Sequence, residues 1–182
     1  FRGGHCAFCY FRCQVNKMRE EASLERILEI EAYALKDLDD VARQLLMKLP
    51  DNGVIALHGE MGVGKTTLVK TLCRMLGVVD EVSSPTYGLV NVYEMPGNDQ
   101  VSSRTIHHID LYRLKDEEEA QEAGVFDAFE QQGLSFVEWP ERISRALPDD
   151  IWLLKIDESM SENPDETSNT KRSLTLLRQI CS

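Results

Sequence analysis

Residues 59–66, Gly-Glu-Met-Gly-Val-Gly-Lys-Thr, constrain the fold of this chain more than any other segment. They fit the pattern G-x-x-x-x-G-K-[ST], in which glycines let the backbone curl around phosphate groups and offer them converging N–H donors. The pattern has this meaning only between a strand and a helix. Here the apolar run 54–57 precedes it, and a helical segment, 65–76, follows it and ends at Gly77. The sequence therefore predicts a phosphate-binding loop.

The residue types of this loop suit ATP. We expect the loop amides and the positive end of the helix dipole to face the phosphates. Lys65 is expected to bridge the β- and γ-phosphates, and the Thr66 hydroxyl to ligate Mg²⁺. Thr67 either touches the α-phosphate or is an ordinary helix position. The predicted nucleotide-binding residues of the loop are Glu60, Met61, Gly62, Val63, Gly64, Lys65, Thr66 and Thr67.

Strand and helix patterns alternate along the rest of the chain, with Asp37 as a predicted N-cap. Strands are predicted at 25–33, 54–57, 89–93, 105–111, 134–137, 151–156 and, as an edge strand, 173–180. Further helices are predicted from residue 38 to Pro50, at 116–124, at 125–132 and at 141–147, and an acidic mobile loop at 157–170. This alternation predicts a three-layer α/β P-loop domain with a mostly parallel central sheet and antiparallel edge strands.

Two carboxylates follow apolar strands directly. Asp110 comes after 105–109, and Glu138 comes after 134–137. Carboxylates at the C-terminal ends of strands face the ligand crevice of an open α/β sheet. We expect one of them to hold Mg²⁺, directly or through water, and the other to orient the attacking water. The sequence does not assign these two roles, and it leaves open a turn or cap role for Asp110 and a structural salt bridge for Glu138.

Other polar and aromatic residues close to these positions have two interpretations each. Thr86 is either a switch hydroxyl that senses the γ-phosphate or a simple turn residue. Trp139 is either a packing residue or part of the nucleotide-binding edge of the site. His107 and His108 are interpreted as strand residues beside Asp110.

The charge balance excludes several classes of partner. The chain has 20 Lys and Arg against 31 Asp and Glu, a formal net charge of −11. Such a surface repels phosphate backbones, so we expect no unaided binding to DNA, tRNA or an anionic membrane. No apolar run approaches the roughly 18 residues of a membrane span. An odd number of cysteines, five, without a secretory pattern, predicts reduced thiols and a cytoplasmic location.

Residues 1–17 differ in composition from the rest of the chain. They contain three basic residues, three cysteines and no acidic residue. We interpret them as a non-native or upstream extension, Met18 as the natural start, and 18–182 as a single P-loop ATPase domain. The alternative is a metal site whose ligands would be His5, Cys6, Cys9 and Cys13.

Three classes of function are compatible with the loop. No Asn-Lys-x-Asp guanine reader follows Lys65, and the arginines after residue 100 are too scattered for a kinase lid. These observations favour an ATPase activated by partner proteins. A small-molecule kinase and a non-catalytic, nucleotide-gated interaction module remain as alternatives.

Four segments in this order resemble the TsaE (YjeE) family. They are the loop at 59–67, Ser-Pro-Thr-Tyr at 84–87, His-Ile-Asp-Leu-Tyr-Arg-Leu at 108–114 and Glu-Trp-Pro-Glu-Arg at 138–142. The resemblance implies a bacterial ATPase of tRNA threonylcarbamoyladenosine synthesis. It implies action with the TsaD–TsaB pair, which modifies adenosine 37 of tRNA. ATP hydrolysis would drive turnover of that complex, and tRNA would be contacted only through it.

The same resemblance implies roles for particular residues. Lys65 and Thr66 take phosphate and Mg²⁺, and Asp110 is the metal-associated acid. Thr86 belongs to a switch loop, while Glu138 and Trp139 lie near the active site.

Overall fold

The computed structural model describes residues 23–85, 88–96, 104–159 and 171–180. The predicted extension at 1–17, its alternative metal site, Thr86 and most of the acidic segment 157–170 lie outside these residues. The strands are β1 (Ser23–Tyr33), β2 (Gly53–His58), β3 (Val90–Met95), β4 (Arg104–Asp110), β5 (Gly133–Glu138), β6 (Ile151–Ser159) and β7 (Lys171–Ile180). The helices are α1 (Leu38–Leu46), α2 (Lys65–Met75), α3 (Glu117–Glu122) and α4 (Val125–Glu130), with 3₁₀ turns at Leu35–Asp37 and Pro140–Ile143.

All seven of these strands form one sheet in the order β1-β7-β6-β2-β5-β4-β3. The central strands β6, β2, β5 and β4 are parallel to one another. On one side β7 pairs antiparallel with β6 and β1 with β7, while on the other side β3 pairs antiparallel with β4. This arrangement confirms the predicted α/β fold with a mostly parallel centre and antiparallel edge strands.

Helices cover both faces of the sheet, which gives the three layers. On one face α1 and α2 pack on the sheet, with Leu45, Leu68 and Phe136 fully buried. On the other face the core includes Ile109 and the α4 residue Val125, both also fully buried. Among the described helices, none has both the length and the apolar character needed to cross a membrane.

The prediction that the last strand is an edge strand is wrong. β7 lies between β6 and β1, and its register with β1 runs from Ile180 opposite Ser23 to Arg172 opposite Tyr33. The physical reason is that both edges of β7 are hydrogen-bonded, one to β6 and the other to β1, while Leu174 and Leu176 bury one of its faces in the core. The outer position belongs to β1 instead.

Three local predictions differ from the structure in detail. Asp37 is the N-cap residue of α1, as predicted, but its side chain makes no capping hydrogen bond to this helix. Its carboxylate instead accepts a hydrogen bond from the Ala34 N–H (3.0 Å) in the preceding 3₁₀ turn. The helix predicted at 141–147 is a 3₁₀ turn at Pro140–Ile143, a form that suits a segment of one turn. Residues 157–159, predicted as the start of the acidic loop, belong to the strand β6. Asp157 belongs to β6, where it lies 2.9 Å from Lys155 and its charge stays at the surface.

Candidate functional site

The predicted phosphate loop connects the C-terminal end of β2 to the first turn of α2. Its backbone requires glycine at two points. Gly64 precedes the helix with φ 109°, a left-handed conformation that side chains disfavour. A Cβ on Gly59 would lie 2.5 Å from the Ile156 carbonyl oxygen of β6. The loop therefore passes so close to the sheet that only glycine fits at its start.

Lys65 is buried beneath this loop, with 4% of its surface exposed. Its ammonium donates hydrogen bonds to the carbonyl oxygens of Gly59 (2.8 Å) and Glu60 (2.9 Å). It also lies 4.3 Å from the centroid of the Trp139 ring, a cation–π distance. Burial lowers the pKa of Lys65, and the negative charge of Glu138 beside it acts in the opposite direction. Lys65 is thus a desolvated cation directed into the crevice.

Glu138 connects the loop to the sheet. This last residue of β5 is 3% exposed. Its Oε1 accepts a hydrogen bond from the Thr66 hydroxyl (2.7 Å) and lies 2.8 Å from Nε2 of His108. One oxygen of Glu138 thus contacts both the loop and a buried histidine, and a role at a metal or at the attacking water stays a prediction. His108 is a β4 strand residue as predicted, but its contact with Glu138 was not predicted.

Asp110 lies beside Glu138 because the two residues are paired in register at the ends of β4 and β5. It is 7% exposed. Its Oδ2 accepts a hydrogen bond from the Ser84 hydroxyl (3.0 Å), and its Oδ1 accepts one from the Tyr112 N–H (3.1 Å). Both carboxylates thus line the same crevice, as their positions at strand ends predicted. The Tyr112 contact also gives Asp110 a turn-stabilising role.

Trp139 forms a wall of the crevice. Its backbone has φ 60° and ψ 47°, which is rare for a large side chain and turns the chain directly after Glu138. The half-buried indole lies 5.1 Å from the Tyr112 ring, centroid to centroid. Trp139 therefore lies at the edge of the site and does not belong only to the core.

These elements enclose a cavity of about 360 Å³. It is lined by Met61, Gly62, Gly64, Lys65, Thr66, Thr67, Asp110, Tyr112, Arg113, Glu138 and Trp139.

Most of the predicted site residues line this cavity, and two do not. Val63 places its side chain in the core, with 1% exposed. Glu60 is exposed and contributes a carbonyl oxygen to the Lys65 ammonium. Tyr112 and Arg113 also line the cavity, but the sequence analysis did not assign them to the site. Their closeness to Asp110 in the sequence is the signal that could have identified them. Thr86 lies outside the described residues, so its predicted place at this cavity stays a prediction.

The donor set fits magnesium bound next to nucleotide phosphates. Mg²⁺ prefers oxygen ligands and is usually held by one or two carboxylates together with substrate phosphates. The Thr66 hydroxyl, Glu138 and Asp110 supply such oxygens at the cavity wall. Among the described residues, no group of three or more His, Cys, Asp or Glu side chains forms a complete cage of protein ligands.

Comparisons with known proteins identify a family and several relatives. The family model described as "Threonylcarbamoyl adenosine biosynthesis protein TsaE" matches residues 33–168. The Haemophilus influenzae "tRNA threonylcarbamoyladenosine biosynthesis protein TsaE" is 37% identical over 116 residues, which cover 63% of this chain and 70% of that protein. The protein of the same name from Synechocystis sp. is 34% identical over 128 residues, 65% of this chain and 74% of that protein.

A solved structure supports the fold separately. The crystal structure of Bacillus subtilis YdiB superposes with a TM-score of 0.62 at 22% sequence identity, covering 86% of this chain and 87% of that chain. At this identity the likeness concerns the fold alone. The family model, however, spans well over half of the sequence and includes the phosphate loop and both strand-end carboxylates. This chain belongs to the TsaE family.

Proposed function

We propose that this protein is a Mg²⁺-dependent ATPase that acts with TsaD and TsaB in forming threonylcarbamoyladenosine at position 37 of tRNA, and that it drives turnover of their complex. The observation that carries the ATPase proposal is the convergence of Lys65, Thr66, Glu138 and Asp110 on one cavity beside the phosphate loop. The names of the relatives, tRNA threonylcarbamoyladenosine biosynthesis proteins, support the pathway.

In this proposal the loop and Lys65 bind the phosphates of ATP. Lys65 contacts two loop carbonyls, Gly59 and Glu60, and its flexible stem allows the ammonium to exchange these oxygens for the β- and γ-phosphates. The amides of Gly62 and Gly64 and the first turn of α2 supply further donors. Because Lys65 is nearly desolvated, its attraction to phosphate is stronger than it would be in water.

Thr66 and Glu138 would both take part in binding Mg²⁺. A hydroxyl has one proton and two lone pairs, so Thr66 can donate to Glu138 while an oxygen lone pair remains for Mg²⁺. The bound Mg²⁺ would neutralise charge that develops on the phosphates. Asp110, on the neighbouring strand end, keeps lone pairs on both oxygens beyond its two hydrogen bonds. In this proposal one of the two carboxylates orients the attacking water.

The charge of the chain supports a role through partners. With a net charge of −11, the protein is expected to dock on proteins that themselves hold the tRNA. By family resemblance these partners are TsaD and TsaB. The cytoplasm is the compartment we propose, because the cysteine content suits a reducing environment; Cys73, the cysteine that lies within the described residues, is a buried free thiol.

The test is steady-state ATP hydrolysis by the full chain, alone and with TsaD and TsaB, with Lys65→Ala as the blank. We expect stimulation by the partners that disappears in the variant. If turnover does not respond to the partners and labelled γ-phosphate moves to a metabolite, the kinase alternative replaces this proposal. If ATP binds and promotes partner binding while Glu138→Ala keeps every function, the non-catalytic module replaces it.

A further inference from the structure

A residue that is far away in the sequence, Arg172, donates a hydrogen bond to the backbone of the phosphate loop. Nε of Arg172 donates a hydrogen bond of 2.7 Å to the carbonyl oxygen of Val63. The two residues are 109 positions apart. Arg172 belongs to β7, on the antiparallel side of the sheet, and it lies beyond residues 33–168, which the family model covers.

Strand pairing determines the position of Arg172. It is opposite Glu158 of β6 and opposite Tyr33 of β1, so it is fixed on both sides of its strand. The Arg172 side chain is half-buried, and its Nε lies 3.7 Å from the place where a Cβ on Gly64 would be. The guanidinium thus runs along two consecutive loop residues, Val63 and Gly64.

Burial raises the pKa of the Tyr33 hydroxyl, and the nearby positive charge of Arg172 acts against that rise. Tyr33 is 5% exposed. The positive charge of the guanidinium therefore acts on the buried Tyr33 of the outer strand as well as on the phosphate loop. This agrees with its hydrogen bond to the loop and with the strand register.

The peptide plane explains why this one contact matters for phosphate binding. The Val63 carbonyl and the Gly64 N–H belong to the same peptide unit, which is planar and trans, so they point in opposite directions. Gly64 has no side chain to restrict its backbone, and it lines the cavity. Holding the carbonyl on the outer side of the loop therefore fixes the direction of the Gly64 N–H on the other side.

We infer that Arg172 is a positioning residue for phosphate binding, because its hydrogen bond to Val63 aims the Gly64 N–H at the nucleotide phosphates. This inference rests on the proposed ATP-binding function. It makes the antiparallel side of the sheet part of the nucleotide site. A hydrogen bond from a charged donor is suited to fixing the Val63 carbonyl, since such bonds are stronger than those between neutral groups.

The inference predicts a specific loss of nucleotide affinity. The Kd for Mg-ATP is measured by calorimetry for the full chain and for Arg172→Ala, Arg172→Lys and Lys171→Ala. We expect Arg172→Ala to weaken binding about tenfold, the equivalent of one charged hydrogen bond. Lys171→Ala is the matched control: it removes the same charge from the neighbouring residue, which is exposed and points to the other face of the strand. It should keep the wild-type Kd.

A rescue experiment distinguishes positioning from a general structural role. Guanidinium ion, at concentrations far below those that unfold the protein, should restore part of the ATP affinity of Arg172→Ala and leave that of Lys65→Ala unchanged. Arg172→Lys should bind ATP with intermediate affinity, because its ammonium has a different shape but keeps a charged donor. Melting temperatures are measured in parallel, and Arg172→Met, which keeps an apolar stem, replaces the alanine variant if the latter does not fold.

The outcomes separate the two proposals. If the wild-type protein binds no Mg-ATP, the proposed function fails and this inference fails with it. If the wild-type protein binds Mg-ATP and folded Arg172→Ala or Arg172→Met binds it equally well, the inference alone is overturned. A loss of affinity that guanidinium does not restore and that follows melting temperature would also overturn it.

Discussion

The Thr66 hydroxyl lies 2.7 Å from Glu138 Oε1, although the two residues are 72 positions apart in the sequence. This bond joins the first turn of α2 to the end of β5. Because the carboxylate accepts a hydrogen bond from the hydroxyl, a lone pair of the Thr66 oxygen stays available to the metal of the proposed function. Lys65, the neighbour of Thr66, has its charge partly balanced by the same carboxylate.

Glu138→Gln should reduce ATP hydrolysis strongly and ATP binding only slightly. The amide can still accept a hydrogen bond from Thr66, but it carries no negative charge to stabilise Mg²⁺ or activate water. We expect turnover to fall roughly 100-fold, the usual scale for losing one acid–base or electrostatic group. Hydrolysis and Mg-ATP binding are measured separately. Glu122→Gln is the control, since Glu122 is exposed at the end of α3. Unchanged turnover in Glu138→Gln would remove Glu138 from the catalytic group.

Nucleotide binding should change the fluorescence of Trp139. The Lys65 ammonium lies 4.3 Å from the indole centroid and would move away from it to reach the phosphates. The chain has two tryptophans, so Trp152→Phe isolates the signal of Trp139. We expect an ATP-dependent change in emission in this background and none after the additional change Lys65→Ala. A full response in the absence of Lys65 would show that the signal has another origin.

The phosphate loop and the two strand-end carboxylates were predictable because each depends on local pattern. Glycines at fixed spacing, an apolar run and an acid at its end are all visible within about ten residues. The His108–Glu138 and Arg172–Val63 contacts depend on which strands are neighbours and on their register. No local pattern encodes these, and the same limit explains why β7 was predicted at the edge of the sheet.

His108→Phe should lower turnover by disturbing Glu138. His108 is fully buried and its Nε2 lies 2.8 Å from Glu138 Oε1, so it fixes one oxygen of the carboxylate. Phenylalanine fills similar space but offers no polar contact. We expect about a tenfold fall in kcat with little change in KM, and a loss of about 1–3 kcal/mol in unfolding free energy, because the buried Glu138 loses one of the two partners of its Oε1 and keeps only the Thr66 hydroxyl.

His108→Gln, which offers an amide donor, should recover part of the kcat lost in His108→Phe. Turnover is compared with the free energy of unfolding from urea titrations of each variant. If both variants lose stability equally and keep wild-type kcat, His108 acts only in folding.

Acidification should destabilise the protein through His107. This β4 residue is 2% exposed, and burial lowers its pKa from 6.5, although a hydrogen bond with Gln131 opposes the shift. Because the unfolded chain binds a proton more readily than the folded one, the stabilising contribution is complete above pH 6.5 and declines as pH falls from there towards the lower folded pKa. We expect the free energy of unfolding to decrease between roughly pH 7 and pH 5, with a smaller decrease in His107→Gln, which cannot titrate. Urea titrations across this range test it, with exposed Glu122→Gln as the control; equal slopes for wild type and His107→Gln would show that other groups set the pH dependence.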